Sequence, residues 1–406
     1  MINKISFKNY KVFKEKQTLD LKPITILIGK NNSGKSAVLK LPTLISGSLS
    51  GKFSQPFELE NEGVKIANEY RDIVYGRTFK ELELELFQKK HLSDEIDFLK
   101  TKIYINDNEP IIESWNCNNL FNLFKQDEDN YQNEITNKIH ETHFQGINLN
   151  SIEVVDDLPQ PSSSDLPSFK IITDFIGAIR QESKLNYPYS AIIPEKSASD
   201  GSNLYQFLIE DYLSTDKKYF TQVSNWLSEK FEGWELKIDV DGYKKEIPAI
   251  IELENKGLKI NISQTGMGIC QVLPLIIRAF KPCKEETLII VEEPESHLHP
   301  YAHAQVAQLF FESLAIDQNK KYLIETHSQN FVLRMRRLVA EGKLKSEDLA
   351  IYYVDFNTMK NESELTEIKV DNGGGVERWP VGVFGETVLE ARAIMNANIN
   401  DLRNVD

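Results

Sequence analysis

Cysteine is scarce: Cys117, Cys270 and Cys283 are scattered along 406 residues. An odd number without any Cys-x-x-Cys pair offers neither a disulfide framework nor a zinc hook. A reducing, cytoplasmic setting is therefore expected. Long apolar runs are missing as well. None approaches the roughly 20 residues that cross a bilayer, and the opening MINKISFKNYKVF holds no signal-like apolar core. No membrane association is expected. Sustained heptads are absent, which excludes a long coiled coil. Basic residues are outnumbered, 47 Lys and Arg against 61 Asp and Glu, for a net charge of −14. That balance argues against a surface generally devoted to nucleic-acid phosphates, while leaving room for a local basic groove.

What remains is enough apolar material, 41% of the chain, to build two or three lobes. KISFKNYKVF alternates apolar and polar residues, LKPITILIG reads as a short buried strand ending at Gly29, and SAVLKLPTLISGSL continues as a helix. Between strand and helix, Gly29-Lys30-Asn31-Asn32-Ser33-Gly34-Lys35-Ser36 fits G-x-x-x-x-G-K-[ST] at every fixed position. Glycines let backbone amides turn inward around phosphates, and the helix N-terminus adds its dipole. The candidate phosphate-binding residues are Gly29, Asn31, Asn32, Ser33, Gly34, Lys35, Ser36 and Ala37. Lys35 is suited to the β- and γ-phosphates and Ser36 to Mg²⁺, so ATP and Mg²⁺ are the expected ligands.

Far downstream, TLIIVEEPESHLHP is an apolar strand ending in two adjacent carboxylates. Glu292 is placed to orient Mg²⁺ and Glu293 to polarise the attacking water as general base. His297, His299 and His303 invite a zinc reading, but the first two flank a turn, which suits a loop meeting a second subunit better than a closed metal site. One helix further on, KYLIETHSQN brings His327 to the tip of another strand, where it could contact the γ-phosphate. Upstream, the glycine pair of Thr265-Gly266-Met267-Gly268 opens a helix and makes a second anion site. One subunit seldom needs two such sites for one nucleotide. Thr265, Gly266 and Gly268 are therefore expected to cap a γ-phosphate held by another copy, in a homodimer or higher homo-oligomer.

The middle of the chain is less informative. Glu81 to Leu86 alternates strictly and Thr101 to Asp107 is its natural neighbour strand. From Asn108 to Pro167 the periodicity fades; Asn116 to Asn150 is rich in Asn, Asp, Glu and Gln, and Asp156 to Pro167 has the Pro/Ser content of a linker. Helical stretches follow around NLYQFLIEDYL and VSNWLSEKF. The expected organisation is an ATPase core in residues 1–87, an inserted, mostly helical lateral lobe in 88–254, the second part of the core in 255–356, and a tail domain in 357–406. Residues 88–168 receive no role.

The order of phosphate loop, inserted lobe, glycine pair, double-acid strand and histidine resembles the ABC-type ATPase superfamily. GKNNSGKS, TGMGICQVLP, EEPESHLHP and ETHSQN, with DIVYG and FIGAIR, resemble its OLD-like (overcoming lysogenization defect) branch more closely. GGGVERWPVGVFGE resembles a short C-terminal domain of unknown function attached to such ATPases. The resemblance implies an α/β P-loop ATPase head, with a mixed or parallel sheet flanked by helices and an antiparallel β subdomain. It further implies ATP hydrolysis in a head-to-tail dimer and control of a separately encoded effector, a nuclease or toxin, in bacterial anti-phage defence. Cys270 departs from the Ser frequent there, Glu292 from the Asp of most ABC proteins, and a lobe-joining glutamine has three competing positions, Gln55, Gln88 and the Asp72 loop. No Glu…Asp-x-Asp cluster follows His327, so no intrinsic nuclease is expected. Two competing functions are a DNA clamp using Arg334, Arg336, Arg337, Lys343 and Lys345, and a nucleotide-stabilised scaffold with little turnover.

Overall fold

The computed structural model describes residues 1–396 apart from 79, 91–93, 128, 155–165, 191, 193, 243–246, 378, 381–382 and 386–388. Along the chain run β1 (Ile2–Lys8), β2 (Gln17–Asp20), β3 (Ile24–Gly29), α1 (Lys35–Ser48) and a short hairpin of β4 (Glu60–Asn61) and β5 (Val64–Lys65). A long meander follows: β6 (Leu82–Lys89), β7 (Ile96–Asn106), β8 (Glu109–Cys117), β9 (Phe121–Lys125), β10 (Asn130–Asn133), β11 (Lys138–Gln145) and β12 (Asn148–Val154). Next come β13 (Thr173–Ile176), α2 (Leu204–Leu213), α3 (Lys218–Lys230), β14 (Glu235–Asp239), β15 (Ile250–Asn255) and β16 (Leu258–Asn261). The chain then forms α4 (Met267–Phe280), β17 (Thr287–Glu292), α5 (Pro300–Ile316), β18 (Lys320–Glu325), α6 (Gln329–Ala340), β19 (Leu349–Asn357) and β20 (Glu362–Ile368).

The functional sheet has the order β13-β17-β18-β3-β19-β20 and is parallel except for β20. Its central strands are buried on both faces, which suits the largely apolar runs ITILIG and TLIIVE. Alternate residues feed two cores. Ile24, Ile26, Ile289 and Val291 pack with α4, α5 and α6, while Leu27, Leu288 and Ile290 pack with α1 and the second sheet. The short strands β14 and β15, with α2 and α3, extend the first core, and β16 pairs on the outside of β15.

The second sheet is antiparallel and nine-stranded, in the order β12-β11-β10-β9-β8-β7-β6-β1-β2. Here burial alternates, as in β7 with every second residue inward. This corrects the expectation of a mostly helical inserted lobe. Residues 96–154 carry the six strands β7 to β12, and helix within 88–254 is confined to α2 and α3 among the described residues. Asparagines serve both the strands and the turns of this stretch. Asp107 and Asn108, then Asn118 and Asn119, take positive φ at the β7–β8 and β8–β9 hairpins, and Asn137 does so before β11. Two consecutive left-handed residues make the tight turn that matches strand twist, and Asn tolerates that conformation better than most residues. The expected linker at 156–167 lies outside the described residues up to 165.

Beyond β20 the tail folds back. Trp379 and Phe384 stack on each other and pack against the α6 side of the core. Arg336 of α6 donates to the Gly374 carbonyl at 2.8 Å and lies 5.8 Å from the Trp379 ring centre. No described helix is long and apolar enough to cross a membrane.

Candidate nucleotide-binding site

Parallel strands bring their C-terminal ends to one edge, where an α/β sheet binds its ligands. Gly29 ends β3, Glu292 ends β17 and Glu325 ends β18, with Glu292 level with Glu325 in the pairing register. The loop after β3 is shaped by close approach. A Cβ on Gly29 would fall 2.2 Å from the Val354 oxygen, and one on Gly34, at φ +100°, would fall 2.6 Å from Val12. Only glycine fits either place. Asn32 also has positive φ; Asn31 and Asn32 are exposed, while Ser33 is buried with its carbonyl accepting from the Ser363 hydroxyl at 2.7 Å. Ala37 donates its N–H to the Gly34 carbonyl at 3.1 Å, within the first turn of α1.

Lys35 and Ser36 converge on Glu325. The Lys35 ammonium donates to the Lys30 carbonyl at 2.8 Å and lies 3.7 Å from the Glu325 carboxylate, while the Ser36 hydroxyl donates to that carboxylate at 2.9 Å. Burial pushes Glu325 up to about 7, aided by Glu292 and Glu293, against the downward pull of Lys35 and Ser36. Burial also lowers Lys35, with Glu325 and then Glu293 opposing it. Both members are thus driven toward neutrality by the same desolvation.

Sequence reasoning paired Ser36 with Glu292. In the structure the carboxylate that meets Ser36 is Glu325, because β18 lies between β3 and β17. Glu292 instead accepts the Ala178 N–H at 3.3 Å. Glu325 was missed, although it ends an apolar strand in the same manner as Glu292.

Glu293 sits just beyond β17 at φ +42°, its N–H donating to the Glu325 carbonyl at 2.9 Å and its carboxylate accepting from Ser296 at 2.9 Å. His327 Nε2 lies 3.8 Å from the Glu293 carboxylate. Burial, then Lys35, lowers the His327 pKa, so the ring is neutral at pH 7. Glu293, Glu325 and His327 offer ligand atoms within 4.8 Å of one another. Glu295, also missed, is buried and accepts the His327 N–H at 2.5 Å, which fixes the strand tip that carries the histidine.

The remaining histidines do other work. His303 bonds Ser328 at 2.8 Å and the Leu298 carbonyl at 3.1 Å, and His299 caps α5 by accepting from the Tyr301 N–H at 3.3 Å. Gln88 is occupied by the main chain of Ser168 and Lys170. Thr265, Gly266 and Gly268 line a groove of about 570 Å³ with His297, Leu298 and Tyr301. Among the described residues no hydrogen bond or ion pair joins Thr265, Gly266 or Gly268 to the phosphate loop. Gly266 has open space beside it and Met267 is half exposed, so the start of α4 faces outward, while Gly268 lies against the loop, where a Cβ would fall 3.2 Å from the His297 carbonyl oxygen. Of the arginines weighed for DNA, Arg336 holds the tail, Arg337 pairs with Glu341 at 2.5 Å and Arg334 bonds Gln308 at 3.3 Å.

A family model described as AAA ATPase domain matches residues 1–332. The chain belongs to this AAA ATPase domain family. A second family, described as a protein of unknown function (DUF3696), matches residues 344–393, in line with the resemblance of the tail. Among curated proteins none matches. The chain is similar to a solved Smc head bound to the C-winged helix domain of ScpA, at 12% identity over 91% of this chain and 98% of that one, with a TM-score of 0.49. It is also similar to the SMC head domain from Thermotoga maritima, at 12% identity over 91% and 99%, with a TM-score of 0.44. A third similar structure is the Smc head domain with an extended coiled coil, bound to the C-terminal domain of ScpA and derived from Pyrococcus furiosus, at 13% identity over 91% and 96%, with a TM-score of 0.46. The α/β ATPase head rests on the family match and on the strand order above.

Proposed function

We propose that the chain binds and hydrolyses ATP and acts as a homodimer with nucleotide between the phosphate loop of one copy and the glycine pair of the other. The convergence of Lys35, Ser36, Glu325, Glu293 and His327 on one strand edge carries this reading. The donor set suits Mg²⁺, which prefers hard oxygen ligands: the Ser36 hydroxyl and the Glu325 carboxylate would hold it, with Glu292 beside Glu325 on the next strand. When bound with nucleotide it supplies positive charge against the β- and γ-phosphate oxygens.

The residues of the chain divide the remaining work. The amides of Gly29 to Ala37 and the Lys35 ammonium bind and orient the phosphates, for which Lys35 exchanges its contacts with Lys30 and Glu325. Glu293 accepts a proton from the attacking water. Neutral His327 hydrogen-bonds the γ-phosphate from the neighbouring strand tip. The outward-facing start of α4, at Thr265 to Gly268, completes the site from a second copy, which ties hydrolysis to the closed dimer. Following the OLD-like resemblance, closure and reopening control a separate effector, a nuclease or toxin, in anti-phage defence.

Phosphate release from the purified chain, with and without Glu293→Gln, tests the enzymatic part. Full-rate hydrolysis by that variant would sink the role of Glu293. Neighbouring open reading frames and a phage-challenge assay test the defence part, and loss of a paired effector gene without change in protection overturns it.

A further inference from the structure

We infer that Arg180 is a positioning residue for Glu293 and that Gln271 ties its effect to the helix carrying the glycine pair. This rests on the hydrolytic reading above. Arg180 follows β13 and is 2% exposed. Burial pulls its pKa down to about 10, against Glu295, Glu292 and Glu293, so it stays charged at neutral pH. A buried guanidinium is costly unless its donors are used. Here the two terminal nitrogens donate to main-chain oxygens, of Glu292 at 2.7 Å, Glu293 at 3.0 Å and Gln271 at 3.3 Å, while Nε has no partner among the described residues.

Those contacts matter because Glu293 has a left-handed backbone. A residue with a Cβ holds φ +42° when its surroundings enforce it. Arg180 grips the carbonyls of Glu292 and Glu293, and the Glu293 N–H is held by the Glu325 carbonyl at 2.9 Å. The peptide planes on both sides of the Glu293 Cα are thereby set, and with them the direction in which its carboxylate leaves the chain.

Gln271 closes the link. Its side-chain amide donates to the Arg180 carbonyl at 3.1 Å, and it is 4% exposed in the first turns of α4. Met267, the first residue of that helix, is 51% exposed. Displacement of the outward end of α4 by an anion at the glycine pair is therefore passed through Gln271 and Arg180 to the turn bearing Glu293. The geometry of the general base becomes a function of whether the opposite site is engaged.

The test uses the full chain, ATP, and Arg180→Lys, which keeps the charge but not the planar fork. Arg180→Lys is expected to lower kcat by roughly tenfold or more with KM and ATP affinity held within about twofold, since a small misplacement of a reacting group is enough. In a Glu293→Gln background the same change should lower the residual single-turnover rate by less than about twofold, because its effect passes through Glu293. Gln271→Met should lower kcat by roughly threefold with KM unchanged. Wild-type kcat in Arg180→Lys, a parallel loss of ATP affinity, or full multiplication with Glu293→Gln overturns the link. Should Arg180→Lys fail to fold by circular dichroism, Gln271→Met decides on the same criteria. A wild-type chain that releases no phosphate overturns the hydrolytic reading and the link together, whereas an active wild type with an unaltered Arg180→Lys overturns the link alone.

Discussion

The two large sheets share one polypeptide and obey opposite rules. In the first sheet the central strands β3 and β17 are largely apolar and the C-terminal ends of the parallel strands meet at one edge, so Gly29, Glu292 and Glu325 accumulate there. In the nine-stranded sheet each edge alternates strand starts and strand ends, burial alternates along strands such as β6 and β7, and the ends are spent on Asn-bearing hairpins. Chemistry collects where direction is shared. The antiparallel sheet serves as a wall, packing Leu84, Leu99 and Leu123 in the same core as α1.

The largest effect that would sharpen this contrast is catalytic. Glu293→Gln should reduce phosphate release by roughly a hundred- to a thousandfold while nucleotide binding persists, as measured by steady-state turnover and a fluorescent ATP analogue. Next comes a core truncation in the wall. Leu123 is fully buried, and Leu123→Ala should cost about 2–5 kcal/mol of stability in denaturant titration while kcat per folded molecule stays at the wild-type value. A collapse of kcat in the folded Leu123→Ala protein would break the division of labour.

A smaller effect is the pH dependence of nucleotide-free stability. Glu325 rises from 4.5 to about 7 on folding, so the native state holds more protons than the unfolded state between those values. Its contribution is complete below pH 4.5 and is lost as pH rises toward 7, by about 3 kcal/mol at most. His327, lowered on folding, works in the opposite direction. Denaturation curves for the wild type and Glu325→Gln isolate Glu325 by difference; an unchanged difference from pH 4 to pH 8 would refute its raised pKa. The smallest effect belongs to the exposed surface. Arg337→Ala removes the pair with Glu341 and should move the melting temperature by no more than roughly 2 °C, with ATP turnover unchanged.

The phosphate loop, Glu293 and His327 were legible in the sequence because phosphate chemistry demands fixed residue types within a few positions. Glu325 and Arg180 were not, since their partners depend on β18 entering between β3 and β17 and on β13 joining the sheet edge. Neither adjacency is a property of any short segment. The β meander was misread for another reason. Asparagine signals both polar, unpatterned chain and left-handed turns, and only the pairing of successive strands decides which.

The walls of the phosphate loop arrive late in synthesis. β3 emerges among the first residues, yet both strands beside it, β18 and β19, lie between residues 320 and 357, and Ser363 supplies a bond to Ser33. A nascent chain that has exposed GKNNSGKS still lacks the strands and the glutamate that hold it in shape. The loop's full set of contacts therefore exists only once residues through 363 are present.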